Sequence, residues 1–131
     1  MAKTVKTPCE ETGDKCPMRD MLARLGDKWT ILVVFTLSTA AGQRLRFSQL
    51  QKAITGISQR MLTLTLRNLE RDGVVKRHFF PEVPPRVEYE LTSLGKNLLV
   101  PIGHLVGWIE GNWQKIEKSR ADFDAKKPPK V

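Results

Sequence analysis

Cysteine is nearly missing from this chain, with two in 131 residues, Cys9 and Cys16. One pair cannot build the disulfide framework of a small secreted domain. The two histidines, His78 and His104, do not complete a zinc pattern with them, because the cysteines stand seven positions apart and the histidines far beyond both. No metal site and no cofactor are expected. No apolar run approaches the roughly 18 residues that span a bilayer, and the N-terminus has no apolar leader segment, so no membrane partner is expected and the protein should be cytosolic. Also missing are a P-loop, a dinucleotide-binding glycine pattern and a nucleophile elbow. Glu88 and Glu90 share one side of a strand, as paired carboxylates would, but an exposed hairpin has no pocket to raise a pKa. Cys16 has no histidine near it in sequence to act as a base. An enzyme is not expected.

Acidic residues are the other shortage, and their distribution is informative. Against 22 Lys and Arg there are 14 Asp and Glu, a formal charge of +8. Residues 1–28 are almost balanced with 6 basic and 5 acidic groups, whereas residues 44–90 carry 9 and 5 and residues 115–131 carry 6 and 3. An excess placed this way favours a polyanionic partner.

Residues 47–73 organise the chain. A first helix is predicted over 48–54 with Leu50, Ala53 and Ile54 turned inward, then a Thr55-Gly56-Ile57 turn, then a second helix capped by Ser58 and ended by Gly73. A three-residue turn with glycine is the connection of a helix-turn-helix. On the second helix, 58–72, the residues Met61, Leu62, Thr65, Leu66 and Leu69 share one side. The other side carries Gln59, Arg60, Thr63, Leu64, Arg67 and Asn68, which together with Ser58 at the cap are the candidate base-reading residues. Arg suits guanine, and Gln or Asn suits adenine, in a major groove.

Before this motif, Pro17 fits the first position of a short helix over 17–25, with Cys16 as its N-cap, Met18, Met21, Leu22 and Leu25 as an apolar stripe, and Gly26 as its stop. The stretch from Lys28 to Leu37 is almost wholly apolar and periodicity leaves helix and strand open; its length favours a core helix. Arg44-Leu45-Arg46 reads as a short strand. After Gly73, residues 74–80 and 86–91 form a hairpin with a proline-rich tip, and Val87, Tyr89 and Leu91 alternate with charges. A hairpin directly after a reading helix is a wing. Lys76, Arg77 and Arg86 on it, with Lys28 and Arg46, are the candidate phosphate contacts. From Thr92 a helical stripe returns, with a kink or break expected at Pro101. That stripe is longer than a small domain can bury. Dimerisation accounts for it, through Met18, Met21, Leu22, Leu98, Ile102, Leu105, Ile109 and Trp113, unless Trp108 and Trp113 only cover the domain's own core.

Cys16-Pro17, Gly26-Asp27-Lys28-Trp29, Arg46-Phe47-Ser48-Gln49-Leu50, Gly56-Ile57-Ser58, the run from Leu62 to Gly73, and Pro81-Glu82-Val83-Pro84-Pro85-Arg86-Val87-Glu88-Tyr89 resemble the HxlR family of bacterial winged-helix transcription regulators. The resemblance covers about residues 16–113. It implies a homodimer built through the first and last helices, double-stranded DNA as partner, the helix from Ser58 as reader, and control of transcription, often as a repressor. It also implies that the Trp29 stretch is helical. Leu64 departs from many relatives, which carry a polar residue there; a leucine either meets a thymine methyl or is spare apolar surface.

The expected fold class is mainly α with a small β-hairpin, a winged helix-turn-helix with N- and C-terminal dimerisation helices. Residues 1–15 are expected to be a flexible arm, 16–119 the DNA-binding and dimerisation domain, and 120–131 a disordered basic tail. In several relatives a cysteine at the place of Cys16 senses oxidants or electrophiles. A thiol at a helix N-cap has its thiolate stabilised by free N–H groups, helped by Lys15 and Arg19 and opposed by Asp14 and Asp20. Cys9 is the candidate resolving partner, and an oxidant or a small molecule is the candidate inducer. The other reading of Cys16 is a thiol packed at a crowded dimer seam. The other reading of the whole chain is a winged-helix module that binds protein or RNA without duplex sequence preference.

Overall fold

The computed structural model describes residues 16–126, so Cys9, Asp14 and Lys15 lie outside the described residues. The elements are α1 (Pro17–Leu25), α2 (Thr30–Thr39), β1 (Arg44–Arg46), α3 (Phe47–Ala53), α4 (Gln59–Arg71), β2 (Val75–Phe80), β3 (Arg86–Leu91) and α5 (Ser93–Lys126). The chain divides into two compact units, one up to Asn97 and one from Leu98, where the residues alone suggest one domain over 16–119.

In the first unit, local chemistry sets the helix ends. Cys16 caps α1, its Sγ accepting the Arg19 N–H at 3.2 Å, and Pro17 occupies the first turn, where no partner is needed for the missing N–H. The Asp27 carboxylate accepts from the Thr30 hydroxyl at 3.1 Å at the start of α2. The β-branched content of α2 lowers its intrinsic propensity, but Thr30, Val33, Val34 and Leu37 fall at helical spacing and all are buried. Leu32 and Phe35 stay exposed, so α2 is half-buried rather than enclosed by the core.

Leu50 of α3 and Leu62, Leu66 and Leu69 of α4 meet α2 in this core, with Val75 of β2 and Tyr89 and Leu91 of β3 also buried. Ala53, expected inside, is exposed: Leu50 and Ile54, four apart, take the inward face and leave Ala53 beside it. Each fully buried leucine contributes about 1.5–3 kcal/mol, so Leu66→Ala would be the damaging change here.

The sheet is antiparallel with strand order β1-β3-β2. Arg46 pairs with Glu88 and Arg44 with Glu90 on one edge of β3, while His78 pairs with Glu88 and Phe80 with Arg86 on the other. The sheet joins the last turn before the helix-turn-helix directly to the wing. At the start of α5, Thr92 accepts the Gly95 N–H at 3.1 Å and donates to the Gly73 carbonyl at 2.5 Å. A Cβ on Gly95 would collide with the Val74 carbonyl oxygen, so only glycine admits this approach.

Over the second unit, α5 continues through Pro101 without a break and reaches Lys126. Of the kink or break expected at Pro101, the break is absent: proline removes one intrahelical donor while the apolar positions on both sides stay in helical phase. The same continuity carries the helix past Arg120, where fraying was expected.

Candidate nucleic-acid interface

The turn between α3 and α4 needs a left-handed residue, and Gly56 supplies it at φ 88° while Ile57 buries itself beneath. Ser58 then caps α4, its Oγ accepting the Met61 N–H at 3.0 Å. At the far end Gly73, at φ 78°, turns the chain into β2. These two ends set the rotation of α4. With Leu62, Thr65, Leu66 and Leu69 buried, Ser58, Gln59, Arg60, Thr63, Leu64 and Arg67 are exposed.

That exposed face divides. Gln59 and Thr63 border a cleft of about 610 Å³, shared with Arg46, Ser48 and the wing tip from Glu82 to Val87. Leu64 and Asn68 border a different groove, of about 1040 Å³, walled by Cys16, Pro17, Met21 and Arg24 of the α1 region. Asn68 is half-buried, unlike its neighbours in the candidate base-reading set.

Of the candidate phosphate contacts, Lys28, Arg46, Lys76 and Arg77 are exposed. Lys28 lies 4.8 Å from the Trp29 ring centroid and Arg77 lies 5.7 Å from that of Phe79, contacts that orient both cations. Arg86 differs. Its Nε is 2.8 Å from Glu88 Oε2, a charge contact without hydrogen-bond alignment, a guanidinium nitrogen is 3.3 Å from Glu82, and the group stacks 4.2 Å from the Phe80 ring centroid.

Glu88 holds a second arginine: Arg44 Nε donates to Oε1 at 2.6 Å. Glu88 and Glu90, neighbours on one side of the strand, are both engaged, Glu88 in ion pairs with Arg44 and Arg86 and Glu90 in a side-chain contact with His78. The Arg44 hydrogen bond holds Glu88 below the usual carboxylate range against the opposing effect of burial. The His78 contact at 2.9 Å does the same for Glu90. Sequence reasoning missed Arg44 and Glu88 as partners, although charge alternation at 44, 46, 86, 88 and 90 was there to be read against a strand register.

Cys16 is buried and disulfide-bonded. Among the expected dimer residues, Met18, Met21 and Leu22 are exposed on α1, which buries none of its side chains. On α5, Leu105, Ile109 and Trp113 are exposed, whereas Leu98 is half-buried and Ile102 buried. Among the described residues no three His, Cys, Asp or Glu side chains gather as a metal would need. No helix among them is long and apolar enough to cross a membrane.

A capped, outward-facing helix after a glycine turn, followed at once by a charged antiparallel hairpin, is a winged helix-turn-helix. Residues 24–117 match the family described as HxlR-like helix-turn-helix. The chain belongs to the HxlR-like family. It is a transcriptional regulator of the winged-helix type. An uncharacterized HTH-type transcriptional regulator of Synechocystis, sll1512, is 45% identical over 98 residues, which is 75% of this chain and 70% of that protein. Among solved structures, ytfH from Salmonella typhimurium matches with a TM-score of 0.74 at 35% identity, over 83% of this chain and 95% of that one. The redox regulator HypR in its reduced form matches with a TM-score of 0.70 at 35% identity, over 78% and 98%. In this HxlR-like chain the wing follows α4 after three residues, Asp72 to Val74, so the two are held close by the backbone itself.

Proposed function

We propose that this HxlR-like regulator is a sequence-specific homodimeric repressor that reads an inverted repeat in double-stranded DNA. The helix from Ser58 to Asp72 enters the major groove, with Gln59, Arg60, Thr63 and Arg67 at base edges, and Leu64 and Asn68 at the border facing α1. Lys28, Arg46, Lys76 and Arg77 meet the flanking phosphates. The observation that carries this reading is the outer face of α4, where exposed Gln59, Arg60, Thr63 and Arg67 form a donor-rich, cationic surface beside the wing. Dimerisation is supported by α1, which leaves Met18, Met21 and Leu22 uncovered, and by Leu105, Ile109 and Trp113 on α5, apolar surface that an isolated soluble chain rarely exposes. Two reading helices one DNA turn apart would then meet two half-sites.

Regulation through Cys16, with Cys9 as its partner, is the second part of the proposal. Its support is the disulfide at Cys16 and the groove that Cys16 shares with Leu64 and Asn68, which puts the start of α1 beside α4. The similar protein HypR is itself a redox regulator.

The test is fluorescence anisotropy of a duplex carrying the gene's own upstream region, with excess unrelated DNA and with the protein reduced or oxidised. Competitor-resistant binding near two protomers per duplex is expected, altered by oxidation and insensitive to it in Cys16→Ser. Arg60→Ala and Arg67→Ala should each cost about 1–3 kcal/mol and relax sequence preference. Binding that competitor removes, unchanged by those two substitutions, would favour a winged-helix module for protein or RNA.

A further inference from the structure

We infer that Glu88 is a positioning residue for DNA binding: it ties Arg44 to Arg86 and thereby fixes the angle of the wing against the strand that enters the helix-turn-helix. The inference rests on the DNA-reading proposal and concerns the same surface.

Glu88 sits in β3, the middle strand, and its two carboxylate oxygens take two different arginines. Oε1 accepts from Arg44 at 2.6 Å and Oε2 lies 2.8 Å from Arg86. Arg44 opens β1, which runs straight into α3; Arg86 opens β3, directly after the wing tip. One carboxylate therefore connects the root of the helix-turn-helix to the tip of the wing. Phe80 completes the cluster, with Arg86 at 4.2 Å and Arg44 at 5.7 Å from its ring centroid. Glu82 binds Arg86 from the tip side at 3.3 Å.

Two features separate a brace from an ordinary surface ion pair. The Glu88 side chain is 17% exposed, so its charge is more shielded from water than that of a typical surface pair. The backbone ladder fixes strand register but leaves sheet twist soft, and twist is what the diagonal Arg44–Glu88 tie between β1 and β3 controls. Arg44 and Arg86 against Glu82 and Glu88 sum to zero charge, so the cluster adds nothing to long-range attraction for phosphates. That attraction comes from Arg46, Lys76 and Arg77, whose placement the brace governs.

Glu88→Gln distinguishes this from simple electrostatics by sign. Removing one negative charge from a basic protein should tighten DNA binding, as Glu70→Gln on exposed α4 is expected to do slightly. The brace requires the opposite, roughly tenfold weaker binding with a salt slope lower by about one phosphate contact. Ethylation interference at the flanking phosphates should fade while methylation interference at guanines under α4 persists, a pattern that general destabilisation would not give. Arg86→Lys keeps the charge but loses the fork and the stacking; it should weaken binding as Glu88→Gln does, and it carries the test if Glu88→Gln does not fold. Wild-type protein without competitor-resistant binding would overturn the DNA reading, and the brace with it. Wild-type binding that Glu88→Gln, or Arg86→Lys in its place, matches or exceeds would overturn the brace alone.

Discussion

Arg24 and Asp72, 48 positions apart, meet with Nε 2.8 Å from Oδ2, joining the last turn of α1 to the residue that ends α4. Asp72 stands at the negative end of the α4 dipole, an unfavourable place for a carboxylate by about 0.3–1 kcal/mol. Arg24 offsets that. Each side chain is about one-fifth exposed, so the pair itself contributes on the order of 1 kcal/mol. Arg24→Ala, which leaves Asp72 uncompensated, should therefore cost more stability in urea unfolding than Asp72→Ala, which removes both the attraction and the dipole conflict. Equal losses, or the reverse order, would show that the pair is not what holds this corner.

Ser58 has a structural role and an expected DNA-facing one, and substitutions can separate them. Ser58→Ala removes the acceptor for the Met61 N–H and should lower stability by about 1 kcal/mol. Ser58→Asp keeps an acceptor and adds favourable charge at a helix N-terminus, so stability should hold in thermal melts. On DNA the aspartate faces phosphates, and affinity should fall at every salt concentration examined by anisotropy.

Gly95→Ala should destabilise the fold by about 1–3 kcal/mol, because the new Cβ collides with the Val74 carbonyl oxygen and backbone must shift. Gly103→Ala is the control: nothing lies within 4 Å of a Cβ there, and alanine favours helix. Chemical denaturation of the two variants side by side should give opposite signs.

Acid should weaken the sheet through Glu88 and Glu90. Both carboxyls are held below their ordinary range in the folded chain, chiefly by the Arg44 hydrogen bond for Glu88 and the His78 contact for Glu90. A folded-state pKa below the unfolded value means that the stabilisation is complete above the unfolded pKa of about 4.3 and is lost as pH falls from there through the lower folded values. Glu88→Gln should flatten the stability curve below about pH 4.3 and leave its slope near neutrality unchanged. An unaltered acid limb in the variant would contradict this.

Much of the helix-turn-helix was legible because its signals act over short distances. Pro17 after Cys16, Ser58 before a run with apolar positions three and four apart, and Gly73 after it are caps and stops whose partners lie within four residues. The alternation of Val87, Tyr89 and Leu91 gave the wing for the same reason. Where several neighbours compete, the local rules misled. Ala53 matched the inward period but lost its place to Ile54, and Leu32 and Phe35 looked like core yet lie on the open side of α2. Pro101 is a strong breaker by local rules, and the phase of the flanking apolar positions prevailed over it.

Arg86 marks the boundary most clearly. The residues alone identified a cationic wing and the outward face of α4, because net charge, periodicity and capping are properties of neighbouring positions. They could not say that Arg86 is held by Glu82, Glu88 and Phe80, that Leu64 and Asn68 border the groove with Cys16 while Gln59 and Thr63 border the wing, or that Gly95 must be glycine. The Phe80 stacking, the two grooves and the Gly95 approach depend on which elements pack or pair across the chain. Arg44 and Glu88 stand 44 positions apart and meet at 2.6 Å only once β1 and β3 are aligned. Hydrogen bonds and ion pairs act over a few ångströms, so tertiary structure decides which charges remain available to a partner and which are already used by the fold.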